Sequence, residues 1–197
     1  RVALYGAIGD YVDETPWVKS TLDEWDKRVV YYEAGVLIQA LEGSGRDYEF
    51  KRRVVQLLAR NALPSSDSEL LLRAVINSRR DEELRLWVRS NVRVHGSVAY
   101  VAEPPGSVGR AANYARVYGN KPVGVAYEKR GDMLVMSLRA VRGVDLNSIL
   151  RELARSTGVA GGGHPQAAGA RVEASKFNAF LEELSKRVEE SLKKVKS

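Results

Sequence analysis

Two stretches, Pro122-Val123-Gly124-Val125-Ala126-Tyr127 and Met133-Leu134-Val135-Met136-Ser137-Leu138-Arg139, decide how the second half of the chain folds. Both are apolar runs of strand length, and Arg130-Gly131-Asp132 between them has the composition of a turn, so together they read as a β-hairpin. Alternation along the second run sends Leu134, Met136 and Leu138 to one face and Val135, Ser137 and Arg139 to the other. The first is a core face. The second sets a hydroxyl beside a guanidinium, whose planar fork suits bidentate contact with phosphate. A surface ion pair would account for the same arginine.

Outward from the hairpin the elements alternate. Val92, Val94, Val98, Tyr100 and Val101 indicate a strand that ends at Pro104-Pro105-Gly106, and Ser107 starts a helix carrying Val108, Ala111, Ala112, Ala115 and Tyr118. On the other side Asp145 caps a helix with Leu146, Ile149, Leu150 and Leu153 inward. A glycine-rich stretch follows, Gly161-Gly162-Gly163-His164-Pro165-Gln166-Ala167-Ala168-Gly169. Read as a loop, its glycines can aim successive backbone amides into a concavity that favours anions, with His164 as a further donor. A plain connection between helix and strand would use the same residues. Ala170-Arg171-Val172 is then a short strand, and a last helix from Ser175 buries Phe177, Leu181, Leu184, Val188 and Leu192, with a lysine-rich exposed face and tail. His95, inside a strand, reads as structural.

Before Asn91 the period is helical. Ser20 is the expected cap of a helix with Leu22, Trp25, Val29, Tyr32, Val36 and Ala40 on its inner face, ended by Gly43 and Gly45. A second helix turns Phe50, Val54, Leu57 and Leu58 inward and Lys51, Arg52 and Arg53 outward. A third, capped by Ser65, Ser66 or Asp67, carries Leu71, Val75, Leu84 and Trp87 through Arg89. Its centre, Arg79 to Glu83, is polar on all sides. Residues 1–19 read as an apolar run followed by a tight turn, Gly6-Ala7-Ile8-Gly9-Asp10, that presents a carboxylate. The fold class expected is α/β: a helical N-terminal segment followed by a compact mixed-sheet α/β domain.

Composition narrows the chemistry. The chain has 197 residues, 44% of them hydrophobic, enough for one large or two small cores. It has no cysteine, which excludes disulfides and thiolate metal sites and fits a cytoplasmic protein. No run approaches the roughly 20 apolar residues of a membrane span. A net charge of +6, from 31 cations and 25 anions, favours polyanionic partners without demanding them. Arg1 leads directly into an apolar run, as expected of a piece of a longer chain.

The motif Gly161 to Gly169, with Ser137-Leu138-Arg139 and the helix start Val144-Asp145-Leu146, resembles the C-terminal substrate-binding domain of DHH-family phosphoesterases, and RecJ-like single-strand nucleases of archaeal type most closely. The strand, helix, hairpin, capped helix, glycine motif and final helix stand in that family's order over about residues 91–185. Residues 1–19, more weakly, resemble the end of the family's catalytic domain, and 20–90 its connecting helices, leaving 91–197 as the nucleic-acid-binding domain. The resemblance implies that Ser137, Arg139, Gly161, Gly162, Gly163 and His164 hold substrate phosphate. It also implies that Asp10 is one ligand of a manganese or magnesium site in the complete enzyme.

The family's Asp-x-Asp and Asp-His-His motifs are absent from the chain, so it is expected to bind single-stranded DNA or RNA without cleaving it and to hold no metal tightly by itself. A two-metal centre needs several ligands converging on both ions. Three other readings stay open: a non-catalytic scaffold that binds GINS or other replication proteins, a small oligonucleotide phosphoesterase, and a relative of the C-terminal domain of alanyl-tRNA synthetases.

Overall fold

The computed structural model of the chain describes residues 1–196, without the side chains of Ser156, Thr157 and residues 194–196, so the lysine tail falls largely outside the described residues. The chain divides into two compact units, Arg1–Asp81 and Glu82–Ser197.

The first unit is helical. It comprises α1 (Val2–Gly9), α2 (Pro16–Leu22), α3 (Lys27–Glu42), α4 (Tyr48–Ala59) and the opening turns of α5 (Ser68–Asn91). Leu4, Tyr5, Val18, Leu22, Val30, Leu37, Phe50, Val54 and Leu70 build its core. Asp47 and Asp67 cap α4 and α5 by accepting from the Phe50 and Leu70 amides at 3.0 and 2.9 Å. Arg73 joins them: it pairs with Asp47 at 2.8 Å and Glu69 at 2.7 Å and lies 4.0 Å over the Phe50 ring. The Phe50 amide, and the Arg73 guanidinium after it, hold the Asp47 carboxyl below its ordinary range.

Two expectations for this unit are corrected. Gly6 to Asp10 is not a tight turn but the end of α1, where the Asp10 amide donates to the Gly6 carbonyl at 3.0 Å. The long helix starts later than expected, because Pro16 opens a separate α2 in which the Ser20 hydroxyl turns back to the Trp17 carbonyl. Asp26 is the cap of α3 instead, accepting from Arg28 at 3.0 Å. The change of phase exposes Trp25, Val29 and Tyr32 and buries Val30, Glu33, Ala34 and Leu37. Glu33 is held inside by the amide and hydroxyl of Ser65, at 2.8 and 2.5 Å.

The second unit is built on a six-stranded mixed sheet: β1 (Arg93–His95), β2 (Val98–Ala102), β3 (Val123–Arg130), β4 (Met133–Ala140), β5 (Ala160–His164) and β6 (Ala167–Glu173), ordered β1-β2-β3-β4-β6-β5. The pair β2/β3 is parallel, joined by the crossover helix α6 (Val108–Tyr118), and the other pairs are antiparallel. The α/β class is as the sequence predicts. The single strand expected after Asn91 is a hairpin, turned at Gly96, whose positive φ of 53° favours glycine. It docks on α8 (Phe177–Lys196), where Ser185 Oγ accepts from the Ser97 amide at 2.8 Å and His95 lies 3.5 Å from Glu182. One face of the sheet buries Val125, Leu134, Met136, Leu138 and Val172 under α8 and α7 (Leu146–Thr157). The opposite face packs Val101 and Ala126 against α6 and the end of α5, through Ala111, Ala112, Ala115, Leu84 and Val88.

Candidate functional site

The helix α6 covers only part of its face of the sheet. Its close approach to β3 depends on Gly124, where a β-carbon would lie 2.0 Å from the Ala112 carbonyl oxygen. Cross-strand register then determines what stays open beyond it. Ser137 of β4 stands opposite Gly169 of β6, and Gly169 opposite Gly162 of β5. One pleat on, Arg139 stands opposite Ala167, and Ala167 opposite His164. The face presented by β4, β6 and β5 is therefore a floor of glycine and alanine between two donors. Two strand spacings, about 10 Å, separate Arg139 from His164.

The alternation read in Met133 to Arg139 holds in the structure: Leu134, Met136 and Leu138 are buried, and Ser137 and Arg139 share the other face. Arg139 Nη1 donates to Ser137 Oγ at 3.0 Å and to the Leu138 carbonyl at 2.9 Å, which fixes the root of the guanidinium. The far side of that group lies against Gly109 in the first turn of α6, where an added β-carbon would be 2.7 Å from Nη2.

The glycine motif has a different form from the one expected. Gly161, Gly162 and Gly163 lie within the edge strand β5, paired residue for residue with β6, so they do not form a concave loop of converging amides. Glycine is needed there for closeness. A β-carbon on Gly163 would sit 2.7 Å from the Ala167 carbonyl and 2.8 Å from Ala168 Cα, and its φ of 151° also disfavours side chains. Gly162, whose β-carbon would point to the open face, meets nothing closer than Asn147 Oδ1 at 3.5 Å. His164 is exposed at the strand end. Behind it, Pro165 and Gln166 form a hairpin turn whose carbonyls accept from the Leu146 amide at 2.8 Å and the Ala140 amide at 3.0 Å.

The start of α7 completes the support. Asp145 Oδ1 accepts from the Ser148 amide at 3.1 Å, and Oδ2 accepts from the Ser148 hydroxyl at 2.8 Å. The hydroxyl, with the amide after it, holds the Asp145 carboxyl below its ordinary range. Asn147 Oδ1 accepts from the Gly163 amide at 3.3 Å, tying α7 to the glycine strand. Of the residues that the structure gathers around this face, the sequence singles out Ser137, Arg139, the three glycines and His164, and does not single out Gly109 and Asn147. Both lie in the first turn of their helices, two residues after the legible caps Ser107 and Asp145, and that position is the available signal.

Asp10 belongs to the first unit and is exposed at the end of α1. Nearby, Asp13 accepts from the Tyr31 hydroxyl at 2.6 Å and Glu14 pairs with Lys19 at 2.6 Å. Among the described residues no three histidine, aspartate or glutamate side chains converge as a cation site. The donor set among the described residues does not by itself fit a divalent metal centre. No helix among the described residues is long and apolar enough to cross a membrane.

Residues 93–190 match the DHHA1 domain family. The second unit is thus a DHHA1 domain. No curated protein sequence matches the chain. Solved structures share its fold at low identity. RecJ from Thermus thermophilus in complex with Mn2+ superposes with a TM-score of 0.61 at 16% identity, over 95% of this chain and 32% of that one. The DHH domain of a member of the s1p family of ribosomal proteins gives 0.60 at 19% identity, over 94% and 48%. The pGpG-specific phosphodiesterase of Vibrio cholerae gives 0.55 at 12% identity, over 78% and 55%. The chain spans about a third to a half of the length of these structures.

Proposed function

We propose that the open face of β4, β6 and β5 holds phosphate groups of single-stranded nucleic acid, as the binding domain of a RecJ-like DHH phosphoesterase. The observation that carries this reading is the placement of Arg139 and Ser137 on a bare glycine-alanine floor opposite His164. A guanidinium whose root is already held by Ser137 Oγ and a backbone carbonyl loses little freedom on meeting a phosphate, and its fork fits two phosphate oxygens. The small floor lets a sugar-phosphate backbone lie close to the sheet, and His164 supplies a donor from the far side. Asn147 and the Pro165-Gln166 turn position the glycine strand for that contact.

Two of the proteins that share the fold favour phosphodiester chemistry for the complete protein, one being a pGpG-specific phosphodiesterase and the other a RecJ solved with manganese. In that protein a divalent ion would activate water and stabilise the leaving oxygen. The residues of this chain bind and orient the strand. The test is titration of a fluorescein-labelled oligothymidylate with the 197-residue chain across a range of salt. Wild type binds with a salt-dependent affinity, and Arg139→Ala weakens it and lowers the slope of log K against log salt by about 0.7, one phosphate contact on a single strand. Wild-type binding by both Arg139→Ala and His164→Ala overturns the assignment.

A further inference from the structure

Beyond Arg139, the face that α6 leaves open continues into a cleft. Val141 follows Arg139 by two residues, about 7 Å along the chain, and its amide donates to the Pro122 carbonyl at 2.9 Å, so the pairing of β3 and β4 extends past the strand ends. There Val141, Pro122 and Lys121 meet the end of α6, at Arg116 and Val117 in its last turn and Asn120 just beyond it, around an open cleft of about 500 Å³.

The cleft carries two cations. Arg116 donates to Asn113 Oδ1, from Nε at 3.4 Å and Nη2 at 3.2 Å, and among the described residues neither Arg116 nor Lys121 pairs with a carboxylate. The Asn113 contact is a loose one between neighbours on one helix and satisfies none of the arginine's charge. Three other half-buried arginines have an acid: Arg73 has Asp47 and Glu69, Arg85 has Glu82, and Arg187 has Glu152 and Glu190. Asn120, whose φ of 49° places it in the left-handed region, turns the chain so that Lys121 follows directly on the helix end, with its amide donating to the Arg116 carbonyl at 3.1 Å. Two cations without a carboxylate, in a cleft on the face that carries Arg139, suit an anion that arrives from outside.

We infer that this cleft is a second phosphate subsite, which takes a phosphate of the same strand further along from the one at Arg139. The inference rests on the function proposed above. The contact of Arg139 with Gly109 and the cleft at Arg116 are seven residues apart on α6, about 10 Å of helix. The strand therefore runs along the flank of α6, past Asn113, and a dinucleotide seated at Arg139 ends short of the cleft. The substrate class that follows is an oligonucleotide rather than a dinucleotide.

The experiment measures binding of labelled octathymidylate and, by competition, of unlabelled dithymidylate to the full chain and to Arg116→Ala/Lys121→Ala, with circular dichroism to confirm folding and Lys121→Gln as a milder second variant. The double variant is expected to lose roughly tenfold in octathymidylate affinity near 0.1 M salt, and about 1.4 of the salt slope, two contacts at about 0.7 each. Lys121→Gln is expected to lose half of that slope. Dithymidylate competes equally well against both proteins. Unchanged octathymidylate affinity and slope in both variants overturn the inference, as does an equal loss for dinucleotide and octamer. Failure of the underlying function looks different: Arg139→Ala then binds both ligands as wild type does. If Arg139→Ala weakens both ligands and the cleft variants weaken neither, the second subsite alone is wrong.

Discussion

Gly109 and Arg139 are neighbours across α6 and β4: a β-carbon on the glycine would lie 2.7 Å from the guanidinium Nη2. The atom in the way is the far end of a flexible side chain, so an added methyl would displace Arg139 while the fold stays as it is. Gly109→Ala therefore separates binding from stability. Alanine is the better helix former by about 1 kcal/mol, so melting is expected to hold or rise. Oligonucleotide affinity is expected to fall towards that of Arg139→Ala. Full binding by Gly109→Ala would show that the position of the guanidinium does not matter.

Gly124 tests the opposite case. Its added β-carbon would meet backbone, with the Ala112 carbonyl at 2.0 Å and the Arg116 amide at 2.6 Å, and neither can swing aside. Gly124→Ala must lift α6 from the sheet. A cost of about 3 kcal/mol, at the upper end for overpacking, is expected in denaturant unfolding, with loss of binding following from loss of fold.

The three glycines of β5 are not equivalent. Gly163→Ala collides with the backbone of β6 and is expected to unpair the hairpin. Gly162→Ala has room, and its methyl would stand on the open face, so it should leave melting unchanged and reduce oligonucleotide affinity. Equal stability of the two variants, measured by thermal unfolding, would contradict the register described for β5.

Asp145 links the support of the site to pH. Its carboxyl is depressed in the folded state by the hydroxyl and amide of Ser148. The stability it contributes is present above the ordinary carboxylate value of about 3.9 and is lost as pH falls from there through the lower folded value. Asn caps a helix without titrating. The difference in melting temperature between wild type and Asp145→Asn is expected to shift against wild type below about pH 4. A difference independent of pH would remove Asp145 from the linkage.

In the first unit, Glu33→Ala takes the buried carboxylate away from the half-buried amide and hydroxyl of Ser65. About 1 kcal/mol is expected, the low end of the cost of leaving a donor unpaired since Ser65 is only half-buried, with the oligonucleotide affinity proposed for the second unit unchanged in the folded protein.

What the sequence makes legible follows from period and caps. The alternation through Met133 to Arg139 puts Ser137 and Arg139 together because a hairpin strand repeats every two residues, and the caps Ser107 and Asp145 mark helix starts that local hydrogen bonding fixes. The helix phase at Trp25, Val29 and Tyr32 is misleading because Pro16 and Asp26 each start a helix, and a continuous stripe across both looks like one. The glycine motif misleads for a related reason. Glycine signals permissiveness and not shape, so GGGH gives no local cue for an edge strand against a loop, and the pairing that decides it comes from β6, across a turn. The cleft at Arg116 and Lys121 gives no sequence signal at all, since it exists only where the end of α6 meets the end of β4.

The glycine content of β5 has a dynamic consequence. A strand with three adjacent glycines gives up more chain entropy on pairing than any other in the sheet and contributes almost no side-chain burial in return. It is held by one neighbouring strand, by Asn147 and by the turn behind His164. Amide exchange in β5 is expected to outrun that of β3 and β4, so that His164 swings on the loosest strand of the sheet while Arg139 stays fixed on the tightest.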